Sequence, residues 1–97
     1  MTADILNYAL TLEHLEDKFY REGLANYTQA QFVAAGFADP FYANLKEVSY
    51  DETVHVSTLS SALGSAAVAE CTYSFPSTDV ASFVGLAAVL EGVGVSA

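Results

Sequence analysis

A chain of 97 residues that is 53% hydrophobic and 15% charged has the length for one small domain and enough apolar side chain for a real core. Three lysines and arginines stand against twelve aspartates and glutamates, a formal net charge of −9. That balance excludes the clustered basic surface needed for nucleic acid or for an anionic membrane. It favours cations only in a general way, since most surface acid simply keeps a protein soluble.

The first helix is predicted over 4–22, with Asp4 or Thr2 as the cap and Gly23 as the stop. At about 100° per residue, Leu6, Ala9, Leu10, Leu12, Leu15, Phe19 and Tyr20 share one broad arc, while Asn7, Thr11, His14, Lys18, Arg21 and Glu22 face outward. A short connecting helix follows over 28–35, capped by Thr28 and ended by Gly36. The second long helix is predicted over 40–63, opened by Asp39-Pro40 and closed by Gly64. Its apolar stripe is Phe41, Leu45, Val48, Val56, Leu59, Ala62 and Leu63.

From Gly64 to Pro76 the chain reads as a connection with a β-like patch at Cys71–Phe75. Cys71 is the single cysteine, so these residues offer no internal disulfide; it reads as a small buried hydrophobe or as half of a bridge to a cysteine elsewhere. Ser77 or Thr78 caps a third long helix over 79–96, apolar nearly all round and so expected to be buried on several sides. Its apolar run, Val80 to Val95, carries Glu91 and three glycines and falls short of the about 20 residues of a membrane span.

The informative residues are acids on faces that ought to be apolar. Glu13 sits between Leu6 and Tyr20 in the middle of the buried arc, with Glu16 about 60° away. Glu52 lies on the stripe of the second long helix, and His55 follows one turn later on the same side. Glu91 is the only charged residue after Asp79. A buried carboxylate must be paired, protonated or bound to a metal. The three basic residues, Lys18, Arg21 and Lys46, map to outer faces, so a metal cation is the economical partner.

Glu52-x-x-His55 on one helix opposite a glutamate on another is a metal-binding arrangement of helical bundles. Oxygen with imidazole suits iron or manganese, with zinc as a further option. The predicted ligands are therefore Glu13, Glu52, His55 and Glu91. Asp51 is placed to accept the second imidazole N–H of His55, and Glu16 is an outer-sphere group, an alternative ligand or a solvent-facing acid. Ser57, Ser60 and Ser61 face away from His55, and no phosphate loop, CxxC pair or basic aromatic patch is present.

The stretch Leu12-Glu13-His14-Leu15-Glu16-Asp17-Lys18-Phe19-Tyr20, then Asp51-Glu52-Thr53-Val54-His55, Leu63-Gly64 and Leu90-Glu91-Gly92, resembles the ferritin-like domain family over nearly the whole chain. The likeness is greatest to the branch that includes fungal stress-response proteins. It implies an all-α helical bundle in which Glu13, Glu52, His55 and Glu91 correspond to metal ligands and Tyr20 to the tyrosine beside them. It further implies iron at one or two positions and a redox, oxygen-handling or iron-handling role, with ferroxidase-type activity as the expected chemistry. The other class of function is a metal-free structural or stress-related helical interaction module.

In that family a tyrosine and a fourth helix follow the third, and this sequence ends before both. Three helices with such broad apolar faces do not close a core. A fourth is therefore expected from a second copy, as a homodimer, or from a missing C-terminal part of the same protein. No basic segment followed by an apolar run marks a signal peptide, a pattern shared by cytoplasmic proteins and trimmed secreted ones.

Overall fold

Thr2, not Asp4, opens the first helix: its hydroxyl accepts the Ile5 amide at 3.3 Å, occupying one of the unpaired donors of the first turn. In the computed structural model, which describes residues 2–96, this helix (α1) spans Ala3–Asn26. It runs straight through Gly23, the expected stop. Gly23 is buried mid-helix, and a Cβ built there would overlap the ring of Phe83 from the last helix. Glycine costs about 1 kcal/mol in a helix interior. Fully burying a phenylalanine returns about 1.5–3 kcal/mol, so tertiary packing outweighs the local signal.

α2 (Gln29–Ala34) begins with a reciprocal capping box, the Thr28 hydroxyl accepting from the Gln31 amide and the Gln31 side chain from the Thr28 amide. Gly36, at φ +97°, ends it. α3 (Phe41–Leu63) starts after Pro40 and lacks a side-chain cap. Asp39 does not serve as one; it accepts from Gln29 Nε2 at 2.7 Å instead. Gly64 closes α3 at φ +58°. α4 (Val80–Ser96) is capped by Asp79 rather than Ser77 or Thr78. The Ser82 amide donates to Asp79 Oδ1 at 2.8 Å, and Ser82 Oγ accepts the Asp79 amide, which holds the Asp79 carboxyl below its usual range.

α1 packs antiparallel against α3 and against α4. The core at one end is aromatic: Phe19, Tyr20, Tyr27, Phe32 and Phe83, with Val80. Phe19 and Phe83 stack at 4.7 Å, and Phe75 meets Phe19 edge-on at 5.2 Å. On α4, Val80 and Phe83 are buried, but Val89 is 61% exposed, so this helix is covered on one side within the chain and not on several.

Between α3 and α4 a single turn of 3-10 helix, Gly64–Ala66, leads into an irregular strap, and no strand is present among the described residues. The expected β-like patch is absent because side chains of α1, not a partner backbone, hold this segment. Asn7 donates to Ala66 O at 2.8 Å and accepts from the Val68 amide at 2.9 Å. His14, expected outside, is buried under the strap with Nε2 3.1 Å from Val68 O. Arg21 reaches Glu70 at 2.7 Å. Cys71 lies exposed on the strap rather than buried. No helix among the described residues is long and apolar enough to cross a membrane.

Candidate metal centre

Halfway along the α1–α3 seam the packing changes from aromatic to acidic. Glu13 of α1 and Glu52 and His55 of α3 bring one potential ligand atom each within 4.8 Å of one another. His55 Nδ1 is 3.3 Å from Glu13 Oε2 and 4.0 Å from Glu52 Oε1. Two donors each about 2.1 Å from one ion stand roughly 3–3.5 Å apart at ordinary coordination angles. The first spacing fits such an edge as it stands, and the second needs only a small carboxylate rotation. The donor set is two oxygens and one imidazole, which suits iron, manganese or zinc.

The side chains grade from wet to dry: His55 is 55% exposed, Glu13 25% and Glu52 11%. The opening is therefore on the His55 side. Glu52 Oε2 is sealed from solvent and has no hydrogen-bond partner. Burial first, then hydrogen bonds with Glu13 and Glu16, pushes the Glu52 carboxyl up to about 10, so without a cation it stays protonated at neutral pH. An orphaned oxygen among acceptors calls for a proton or a metal ion. Glu16, buried on α1, is raised chiefly by desolvation, which the interaction with Glu52 partly offsets and the negative charges of Glu91 and Glu13 reinforce.

Glu91 approaches from α4 and accepts from Tyr20 Oη at 2.7 Å. Tyr20 is 2% exposed, and burial followed by this hydrogen bond raises its phenol far above the usual range, so it remains a donor. Glu91 stands outside the three-residue cluster, joined to it through Tyr20 and the field it exerts on Glu16. Asp51 is exposed beside Lys46, Glu47 and Tyr50, and makes no hydrogen bond to His55 among the described residues. Asp51 stands one helical turn before His55, at i and i+4, yet about 100° round from Glu52, at the edge of the ligand face.

The cationic side chains are engaged elsewhere. Lys18 lies 3.6 Å from Glu22, Lys46 sits 5.7 Å from the Tyr42 ring, and Arg21 bonds Asp17 and Glu70. Asp17, which the sequence pattern does not single out, is 6% exposed and accepts from both Arg21 and the Thr53 hydroxyl. The signal for the strap contacts lay in the seven-residue spacing of Asn7, His14 and Arg21, all of which bond it.

No match is found among curated proteins. The sequence profile of the ferritin-like domain matches residues 1–97. An all-α bundle with acids and a histidine gathered on its inner helix faces, matched along its whole length by that profile, belongs to the ferritin-like domain family.

Proposed function

We propose that this protein binds iron, or a metal of similar ligand preference such as manganese or zinc, and serves a redox, oxygen-handling or iron-handling role. The observation that carries the reading is Glu52 Oε2, a sealed carboxylate oxygen with no donor in reach, beside Glu13 and His55. Glu13, Glu52 and His55 would hold the ion, and Glu91, hydrogen-bonded to Tyr20, would be the acid on its far side. Iron there would supply electron exchange with dioxygen or peroxide. A ligating imidazole nitrogen must be free of a proton, and the exposure of His55 provides the route by which an ion exchanges with water.

A second reading is a metal-free helical module, stress-related or structural, in which a proton on Glu52 shared with Glu13 and Glu16 replaces the cation. It is favoured by the same raised carboxyl. Metal quantification on purified protein separates the two. About one or more iron per chain, with a rise in melting temperature on anaerobic addition of Fe(II), supports metal binding. Well under one, with no rise, supports the module.

The same reading extends to assembly as a homodimer, or with a further C-terminal part. Val89, at 61%, and Val54, at 40%, leave apolar surface on α4 and α3 that such a partner would cover. Solution scattering at several concentrations tests it; a compact monomer throughout would remove the homodimer.

A further inference from the structure

The strap between α3 and α4 is connected to the acidic zone through one guanidinium. It is tied to α1 at three positions two turns apart, Asn7, His14 and Arg21. The third tie continues past the strap. Arg21 Nη2 donates to Glu70 of the strap at 2.7 Å, while its Nε donates to Asp17 Oδ2 at 3.1 Å. A planar guanidinium serves two acids in fixed directions, which a lysine ammonium cannot do.

Asp17 has both oxygens engaged, Oδ2 by Arg21 and Oδ1 by the Thr53 hydroxyl of α3. Thr53 has one proton and two acceptors in reach, this carboxylate and the Ser49 carbonyl at 3.2 Å; the carboxylate is the nearer and the charged one. Outside the acidic cluster itself, this is the side-chain hydrogen bond that joins α1 to α3 among the described residues. Its place in the two helices is specific. Asp17 lies one turn beyond Glu13 on α1, and Thr53 lies between Glu52 and His55 on α3. The bond therefore joins the turns that carry the candidate ligands.

Asp17 is 6% exposed, and Arg21 is the basic side chain that offsets its charge. A buried acid that loses such a partner is strongly disfavoured where it stands. Strap residues 69–72 are exposed, and segments of that kind open locally far more easily than the whole chain unfolds. When the strap lifts, Glu70 leaves Arg21, itself 49% exposed, and the guanidinium is free to turn toward water. Asp17 then has no fixed countercharge, and its hold on Thr53 weakens.

We propose that the strap is a conformational control on the metal centre: seated, its Glu70 holds Arg21 on Asp17, and Asp17 on Thr53, so that Glu13 stays opposite Glu52 and His55; lifted, it loosens that alignment. This rests on the metal-binding reading. Arg21 and Asp17 are positioning residues, since neither belongs to the ligand cluster. Coupling between two sites is reciprocal, so a bound ion must also hold the strap down.

Equilibrium dialysis of the full chain against Mn(II), read by the resonance signal of the free ion, tests the coupling in a double-mutant cycle. Glu70→Gln frees Arg21 at an exposed position that touches no ligand, and is expected to weaken Mn(II) binding by about fivefold. Thr53→Val is itself expected to bind more weakly, and in that background Glu70→Gln should change affinity by less than about 1.5-fold. A lost negative charge acting through space would persist there, so the cycle separates it from the chain of contacts. Should Thr53→Val fail to fold, a second measurement needs no variant. The Val68 amide, bonded to Asn7, reports the seated strap. Saturating Mn(II) should slow its exchange by about fivefold and leave the amide of Ala35, at the end of α2, unchanged. Equal affinity in wild type and Glu70→Gln, the same loss in both backgrounds, or exchange at Val68 indifferent to Mn(II) overturns the coupling and leaves the metal centre standing. No uptake of Mn(II) by wild type removes the metal-binding reading and this one together.

Discussion

The ring of Phe83 on α4 rests directly on the backbone of Gly23 on α1, where any Cβ would intrude on it. This contact fixes how closely the two helices approach and hence how far Glu91 reaches toward Tyr20. In an unpacked helix, Gly→Ala is worth about 1 kcal/mol in favour of alanine. Here the sign reverses. Gly23→Ala is expected to destabilise the fold by about 1–3 kcal/mol through overpacking, measured by chemical denaturation. Equal or greater stability would show that the ring does not sit on the glycine.

Removing one ligand from the cluster should cost metal affinity without unfolding the chain. His55 is largely exposed, so His55→Ala loses little packing. We expect Fe(II) affinity to fall by more than about 100-fold, read by anaerobic calorimetry, with the melting temperature of the metal-free chain unchanged within a degree or two. Loss of affinity in Asp51→Asn of similar size would mean that Asp51 orients the imidazole after all.

The raised Glu52 carboxyl makes a signed prediction for pH. In the folded metal-free chain its proton is held to about 10, against an ordinary value of 4.5. Between those values the folded state binds more protons than the unfolded one. Its stability is therefore fully present below about 4.5 and is lost progressively as pH rises toward 10. Glu52→Gln should flatten that slope, and denaturation curves at several pH values for both chains would show it. Metal affinity must run the other way, rising with pH as the ion displaces the proton. Parallel pH slopes in the two chains would contradict the assignment.

The strap offers a fourth measurement. Asn7 makes two hydrogen bonds to its backbone, at partly exposed sites. Asn7→Ala should cost about 1–2 kcal/mol and speed amide exchange at Val68 more than in the middle of α3. Unaltered exchange at Val68 would mean that the segment is held by its buried aromatics alone.

Periodicity revealed most of the bundle and the heart of the site. Glu13, Glu52 and His55 are conspicuous because each interrupts an apolar stripe, and the folded chain does bring them together. What it could not reveal depends on a segment with no period. His14 looks like a solvated position on a helical wheel and is buried where the strap crosses it at Val68, while Asp17 is buried between Thr53 of α3 and Arg21 of its own helix. Gly23 misleads for a related reason: its local meaning is a stop, and its actual neighbour lies sixty residues away. Asp51 shows the limit of spacing alone, since it lies one turn from His55 but at the exposed edge of the helix, with no hydrogen bond to the imidazole among the described residues.

The Thr53 hydroxyl bonded to Asp17, next door to Glu52 and Glu16, has a mechanical effect on its neighbours. It opposes a roll of α3 about its own axis against α1 by fixing one point of the seam. Side chains ride at a radius of roughly 6 Å, so a roll of about 20° would carry a carboxylate some 2 Å sideways. That is a whole coordination bond. Severing a single hydroxyl contact, itself no ligand, should therefore detune the cluster as surely as deleting one of its acids.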